Sequence, residues 1–286
     1  MDNRDLWMHL HARPIDLARW EYLQGNCDAP KVVEALAWYQ NDDGGFGHGL
    51  EADNWNPNSS PIQTWKAISI LRELNYFNRE LPLVSKMMKF LLAELEQGLW
   101  KTLIPSNDAF PHASWWNYDP NAETWGYNPS ASLLGYLYRL GEKLEGEVRQ
   151  ALDYYLAQSV AEMHEFPLFM DLYFDLRHTN WDSRELLQFK HKLEGDLKKL
   201  LVTNPDQWAG YGLRPSSIFT PDHREFILPY EKAIEQEKQY LLRTANADGT
   251  WEVPWDWGQF PQEFTLAREW WQAELIIRYT RFLQLF

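Results

Sequence analysis

The sequence predicts an all-α protein: a single α/α toroid of about five to six helix pairs, with residues 1–286 forming one domain. Two observations predict this fold class. Apolar residues recur at spacings of three and four along most of the chain, whereas the alternation typical of a strand is nearly absent. Segments that are apolar almost all round also alternate with segments that carry one apolar stripe. In a ring of paired helices, the first kind lines the inside and the second kind covers the outside.

The predicted inner helices each open at a proline. Ser60 is a candidate N-cap ahead of Pro61, and Gly141 suits the C-terminal cap of the second inner helix. Pro167 and Pro261 open the other two. The four predicted inner helices cover 61–74, 129–140, 166–177 and 262–284.

The predicted outer helices mix charged residues with an apolar stripe, and they cover 30–40, 82–97, 146–163, 183–201 and 223–243. The links that lead from an outer to an inner helix are mostly long and rich in Trp, Gly, Asn and Asp. These long links are 41–60, 98–128, 202–214 and 245–261. Links of one kind emerge at one end of an up-and-down ring, and long loops on a rigid scaffold usually carry the binding site. We therefore expect the site at the end where the long links meet.

Composition and charge exclude several classes of partner and site. The formal net charge of −14 repels phosphate backbones, so we expect no nucleic-acid partner. Cys27 is the only cysteine, which excludes an intrachain disulfide and a multi-cysteine zinc site. A signal-peptide pattern and a long uncharged apolar run are both absent from the sequence. We accordingly expect a cytoplasmic protein without a membrane span.

Three segments repeat a turn of glycine followed by an aromatic residue: 40–46, 96–100 and 245–251. Glycine allows a sharp turn after an outer helix, and the aromatic residue can wedge between neighbouring helices. The segments resemble the Gln-x-x-x-Gly-x-Trp/Phe repeats of the squalene cyclase and prenyltransferase superfamily. The run 44–53, together with Trp270 and Trp271, is similar to small bacterial cyclase-like proteins without an assigned function. This resemblance implies a toroid around an aromatic cavity.

The chain departs from the catalytic motifs of that superfamily. Proton-initiated cyclases carry Asp-x-Asp-Asp, whereas residues 51–54 supply two carboxylates in a different frame. Protein prenyltransferases bind zinc through Asp, Cys and His, and Cys27 lies far from any such pattern. The eight histidines show no compact metal-ligand spacing on one helix face, so we expect no metal and no cofactor.

Glu51, Asp53 and Asp171 are the candidate catalytic acids. Glu51 and Asp53 follow the glycine-rich turn and lie close in sequence to His48 and Trp55. Aromatic surroundings desolvate a carboxyl and raise its pKa, which suits a proton donor. The alternative is that both carboxylates cap helices or bind backbone amides. Asp171 lies four residues before Asp175 on an otherwise apolar helix, where the alternative is pairing with Arg177, with His178 or with the end of a neighbouring helix.

The candidate binding residues are mostly aromatic, because aromatic faces stack on sugar rings and stabilise carbocations. Aromatic wedges of a toroid core are the alternative for part of this set. The predicted substrate-binding residues are His48, Trp55, Trp115, Trp116, Asp119, Trp125, Tyr127, Trp208, Trp255 and Trp257.

Three functions are compatible with these residues. The leading hypothesis is a terpene-cyclase-like enzyme that uses a proton-donor carboxylate on an apolar, isoprenoid-type small molecule. The second is a carbohydrate-active enzyme of the α/α-barrel type, a glycoside hydrolase or lyase acting on an oligosaccharide. The third is a toroid that binds a ligand or partner without catalysis.

Overall fold

The all-α prediction is confirmed by the computed structural model, which describes residues 3–220 and 223–286. These residues form helices, turns and isolated β-bridges, and they contain no strand. The chain divides into two compact units. The central unit is Ala37–Lys199, and the terminal unit comprises the described residues up to Leu36 together with those from Leu200 to Phe286.

Six helices lie in the central unit, and only the last residue of the sixth, Leu200, falls outside it. They are α4 (Pro61–Glu73), α5 (Pro82–Glu94), α6 (Ser130–Arg139), α7 (Glu145–Ala157), α8 (Phe166–Leu176) and α9 (Ser183–Leu200). Helix α6 packs against α4, α7 and α8, and all its residues up to Leu137 are buried. Full burial of each leucine side chain of this helix stabilises the fold by roughly 1.5–3 kcal/mol. The core of the central unit is therefore centred on α6.

The terminal unit is built on one long helix, α13 (Pro261–Leu285), which packs against α1, α2, α10 and α12. The other helices that begin in this unit are α1 (Asn3–His11), α2 (Pro14–Leu23), α3 (Ala29–Ala37), α10 (Pro215–Ile218), α11 (Arg224–Ile227) and α12 (Glu231–Thr244). Of these, α1, α2 and α10 were not predicted from the sequence.

Most helix boundaries follow from local chemistry. The Gln63 N–H donates to Ser60 Oγ at 3.3 Å, which makes Ser60 the N-cap of α4 as predicted. The helix predicted over 223–243 is wrong as one element. It is instead α11, a 3₁₀ turn at Leu228–Tyr230 and α12. Pro229 lies in that turn and has no N–H to donate, so a regular α-helix cannot run through it.

The three repeat segments build similar turns. Gly44, Gly98 and Gly249 all have positive φ, and the aromatic residue two positions later is buried in each copy. The indole N–H of Trp100 donates to Leu91 O at 2.7 Å, and that of Trp251 donates to Leu241 O at 3.1 Å. Both carbonyls belong to the preceding helix. In these two copies, the aromatic side chain is therefore held against the helix that precedes the turn.

Candidate functional site

Two long links of the central unit run side by side. The Ala113 N–H donates to Asp53 O at 2.8 Å, and the Trp55 N–H donates to Pro111 O at 3.0 Å. Between these contacts, Asn54 and His112 form an antiparallel bridge. The segment with the candidate acids is thereby paired with the start of the aromatic segment 111–127.

Buried asparagine side chains hold the two links together. Asn107 Oδ1 accepts the side-chain N–H groups of Asn54 at 3.2 Å and of Asn56 at 3.0 Å. The Asn107 Nδ2 donates to Trp116 O at 3.1 Å. All three asparagines are buried, and buried amides are stable only when they are hydrogen-bonded. This network, rather than regular secondary structure, fixes the shape of the site.

Glu51 and Asp53 are both buried, with 7% and 4% of their surface exposed. The Asp53 N–H donates to Glu51 Oε2 at 2.8 Å, and the Glu51 N–H lies 3.4 Å from Gln63 Oε1 in the first turn of α4. Glu51 thus binds a backbone amide, which was the structural alternative for this carboxylate. Both carboxyls are buried, and burial disfavours the charged form of a carboxyl.

His48 and Trp55 frame the glycine-rich turn. His48 is exposed, has a positive φ of 60°, and places Nε2 2.8 Å from Asn41 Oδ1. The half-buried Trp55 donates its indole N–H to Ala52 O at 3.0 Å. Both side chains are therefore held locally, and Trp55 lies at the junction with the aromatic segment.

The aromatic segment contains a stacked pair of indoles. The rings of Trp116 and Trp125 have centroids 5.0 Å apart and planes 14° apart. Trp116 is buried, and its Nε1–H has no hydrogen-bond partner among the described residues. An unpaired buried donor costs roughly 1–3 kcal/mol, so an acceptor on a ligand would stabilise this position.

The remaining candidates of this segment differ in exposure. Trp115 is 39% exposed, whereas Tyr127 is buried and packs on Tyr154 and Phe169. Asp119 is exposed and accepts the Asn121 N–H at 2.8 Å within a turn.

Asp171 lies in an ionic network formed by α4, α6 and α8. Its Oδ2 accepts the Ser132 hydroxyl at 2.7 Å and lies 3.6 Å from Arg72 Nη1. The buried Asp175 pairs with Arg72 and, at 3.3 Å, with Arg139. Burial raises the pKa of Asp175, against the opposing attraction of the two arginines. The ion pairing expected as the alternative is present. Its arginines belong to α4 and α6, and they lie far from the aspartates in sequence.

Trp208, Trp255 and Trp257 belong to the terminal unit. Trp208 is buried and donates its indole N–H to Val202 O at 2.7 Å. Trp257 is also buried, and the half-buried Trp255 packs edge-on against Trp271 with centroids 5.0 Å apart. The other candidates lie in the central unit, and these three form contacts within their own unit.

Sequence reasoning missed two residues of the central unit. His112 is buried, with Nδ1 2.6 Å from Phe110 O and Nε2 2.8 Å from Asn117 Oδ1. Glu165 is buried against Tyr127 and Tyr154 at the start of α8. Glu165 could have been found from its position directly before a predicted inner helix. His112 could have been found from its position within a long link.

Two open cavities of about 360 and 390 Å³ lie elsewhere on the central unit. Leu95, Gln97 and Gly98 line the first, and Asn75, Phe77 and Arg139 belong to the lining of the second. Neither cavity has a lining residue among the candidate acids and aromatic residues.

Within residues 3–220 and 223–286, no group of three or more His, Cys, Asp or Glu side chains is arranged to hold a metal ion. None of the described helices combines the length and apolar character needed to cross a bilayer. Comparisons with profiles of known protein families, with curated protein sequences and with solved structures gave no match.

Proposed function

We propose that the central unit binds an apolar, isoprenoid-type small molecule and acts on it as a terpene-cyclase-like acid catalyst, with Glu51 or Asp53 as proton donor. One observation carries the proposal. The backbone of 53–55 pairs with 111–113, so the segment that carries the buried Glu51 and Asp53 adjoins the start of the aromatic segment that includes Trp116 and Trp125, which supports the proposal.

The proposed chemistry uses both parts of this arrangement. The carboxyl O–H bond breaks as its proton forms a C–H bond with an alkene carbon, which leaves a carbocation on the neighbouring carbon. Indole faces stabilise a cation through their negative quadrupole, by about 0.5–2 kcal/mol for each well-placed ring. Loss of a proton from the cation, or addition of water, then completes the reaction. The resemblance to squalene cyclases supports the same substrate class.

Uptake of solvent deuterium tests the proposal directly. The protein is incubated in D₂O with squalene and, separately, with geranylgeraniol, and the products are examined by gas chromatography and mass spectrometry. We expect one deuterium at the protonated carbon, and loss of this uptake in Glu51→Gln or Asp53→Asn. Glu34→Gln is the control, because Glu34 is an exposed residue of α3 that pairs with Lys31. Equal uptake in wild type and in both variants would show that neither residue is the acid.

The alternatives give different results in the same series. Shortening of maltooligosaccharides without any deuterium uptake into isoprenoids would favour the carbohydrate-active enzyme. A lipid that copurifies with the protein, remains chemically unchanged and is retained by the Glu51→Gln/Asp53→Asn double variant would favour a binding protein. Native mass spectrometry followed by solvent extraction detects that lipid.

A further inference from the structure

Glu165 connects three elements of the central unit through one carboxylate. It immediately precedes α8, and its Oε1 accepts the Tyr127 N–H at 2.6 Å. Its Oε2 accepts the Tyr154 hydroxyl of α7 at 3.1 Å. The carboxylate thus links the end of the aromatic segment to both neighbouring helices.

The loop fits closely around this carboxylate. Gly126 has a φ of 58°, and a Cβ atom at this position would lie 2.4 Å from Glu165 Oε1. The Tyr127 ring packs on Tyr154, with centroids 4.8 Å apart, and on Phe169, with centroids 5.7 Å apart. A glycine is therefore required here both for its backbone conformation and for the close approach of the carboxylate.

A continuous series of contacts leads from Glu165 to the candidate acids. Trp125, which precedes Gly126, stacks on Trp116. The Trp116 N–H donates to Ala113 O at 2.8 Å, and the Ala113 N–H donates to Asp53 O at 2.8 Å. The turn at 126–127 directly follows Trp125, which stacks on Trp116, and the backbone of Trp116 is linked through Ala113 to the backbone carbonyl of Asp53.

We infer that Glu165 is a positioning residue of the candidate site, because its carboxylate holds the turn at Gly126 and Tyr127 and so sets the placement of the Trp125–Trp116 pair. The inference rests on the proposed function in that it assigns this pair to the wall of the ligand site. The carboxyl group performs the role because its two oxygens contact Tyr127 and Tyr154 at the same time.

The groups around Glu165 make this contact sensitive to pH. Burial raises the pKa of Glu165, although the hydrogen bonds from Tyr127 and Tyr154 oppose the shift, and the nearby Glu162 adds to it. Burial likewise raises the pKa of Tyr127, and it raises the pKa of Tyr154 to about 12, so both phenols stay protonated where Glu165 titrates. The negative charge of Asp153 also raises the pKa of Tyr127. His164, next to Glu165 in the chain, lies 2.7 Å from Glu162 through its Nδ1.

Because burial raises the pKa of Glu165, the folded turn binds this proton more tightly than an opened turn does, where water solvates the carboxyl. A protonated carboxyl still accepts the Tyr127 N–H through its carbonyl oxygen. The hold on the turn is therefore complete below the ordinary pKa of glutamate, and it weakens as the pH rises through the pKa of folded Glu165.

Amide hydrogen exchange tests the inference without any substrate. Protection factors, corrected for intrinsic rates, are measured for segment 123–128 in wild type, Glu165→Gln and Glu165→Ala from about pH 4 to 8. In wild type we expect protection of this segment to fall about tenfold as the pH rises from about 4 to 8. Glu165→Ala should show low protection at every pH. Glu165→Gln should show more protection than Glu165→Ala, without a change with pH, because its neutral amide oxygen still accepts from Tyr127.

Two further variants keep Glu165 and change its surroundings. Tyr154→Phe removes one donor to the carboxylate, and Gly126→Ala places a methyl group against Oε1. Both should lower protection of 123–128 while α9 remains protected. An unchanged protection factor in segment 123–128, or an equal loss over the whole central unit, would overturn the inference, as would a wild-type profile that does not depend on pH.

Deuterium uptake from D₂O into squalene supplies the functional arm. We expect Tyr154→Phe to raise the half-saturating squalene concentration several-fold while the rate at saturation changes little. Failure of the wild type to label any isoprenoid would contradict the proposed function alone, since the exchange experiment decides the role of Glu165 independently. Wild-type labelling with an unchanged half-saturating concentration in Tyr154→Phe would contradict the positioning role alone.

Discussion

A Cβ atom on Gly135 of α6 would lie 3.0 Å from the Cα atom of Leu172 in α8. The neighbour is a backbone atom, so it cannot rotate away as a side chain can. The same Cβ would lie 3.0 Å from Asp175 Oδ2. The two helices thus approach so closely that a methyl group on residue 135 would have to displace its neighbours by a few tenths of an ångström, and this contact is at the centre of the core of the central unit.

Gly135→Ala should therefore lower the free energy of unfolding by about 1–3 kcal/mol, because the added methyl group overpacks the α6–α8 contact. Urea denaturation followed by circular dichroism measures the change. Gly195→Ala is the matched control in α9, where an added Cβ meets nothing within 4 Å. That control should stabilise the protein by about 0.5–1 kcal/mol. The same change in both variants would contradict the close approach of the helices.

Asp175→Ala should destabilise the protein by about 3–5 kcal/mol, because Arg72 and Arg139 then lose their shared buried anion. Asp171→Ala is the comparison. Asp171 is 30% exposed and accepts its closest hydrogen bond from Ser132, so its removal should cost less than about 1 kcal/mol. Urea denaturation of both variants decides the point, and equal losses would show that Asp175 is not the essential anion of the network.

Local signals in the sequence predicted much of the helix pattern. The sequence Ser60-Pro61 placed the start of α4 correctly because the N-cap hydrogen bond joins residues three apart in the chain. Pro229 explains the error over 223–243: a break between α11 and α12 was present in the sequence, but apolar periodicity continues across it.

The site was harder to predict because its partners are distant in the chain. Arg177 and His178 were the expected partners of the α8 aspartates, whereas Arg72, 103 residues from Asp175, forms the buried ion pair. Glu165 binds Tyr127 across 38 residues. No periodicity or spacing reports such contacts, since they depend on how the helices pack. Glu51 and Asp53 were predicted as acids because they follow a glycine-rich turn that is visible in the sequence; both are buried, and their acid role stays a prediction.

Asn107→Ala should destabilise the protein by about 2–4 kcal/mol and loosen the pairing of 53–55 with 111–113. The substitution removes the acceptor for Asn54 and Asn56 and the donor to Trp116, and each buried group left unpaired costs roughly 1–3 kcal/mol. Asn107→Asp keeps the acceptor but buries a carboxyl that faces the Trp116 carbonyl, so its loss should be smaller at acidic pH, where the carboxyl is neutral, than at neutral pH. Urea denaturation gives both values, and hydrogen exchange of 111–117 reports the pairing. Full protection of that segment in Asn107→Ala would contradict a role of Asn107 in joining the two links.

The buried Glu237 of the terminal unit should make the free energy of unfolding depend on pH. This buried carboxyl of α12 accepts the Ser216 N–H at 2.8 Å and the Ser216 hydroxyl at 2.6 Å, and it lies 3.4 Å from Arg214 Nε. Burial raises its pKa, although Ser216 and Arg214 oppose the shift. The folded state therefore binds this proton more tightly than the unfolded state does.

The sign of the effect follows from linkage. The stabilisation that the raised pKa provides is complete below the ordinary pKa of glutamate, and it is lost as the pH rises through the pKa of folded Glu237. We expect the unfolding free energy of wild type, relative to Glu237→Gln, to fall across this window between about pH 4 and 8 and to be constant above it. Glu235→Gln on the same helix is the control, because the hydrogen bond from Gln239 lowers the pKa of Glu235 and gives the opposite sign. Urea denaturation across the pH range measures both differences. Parallel curves for wild type and Glu237→Gln would show that Glu237 titrates alike in the folded and unfolded chain, which its burial against Ser216 does not allow.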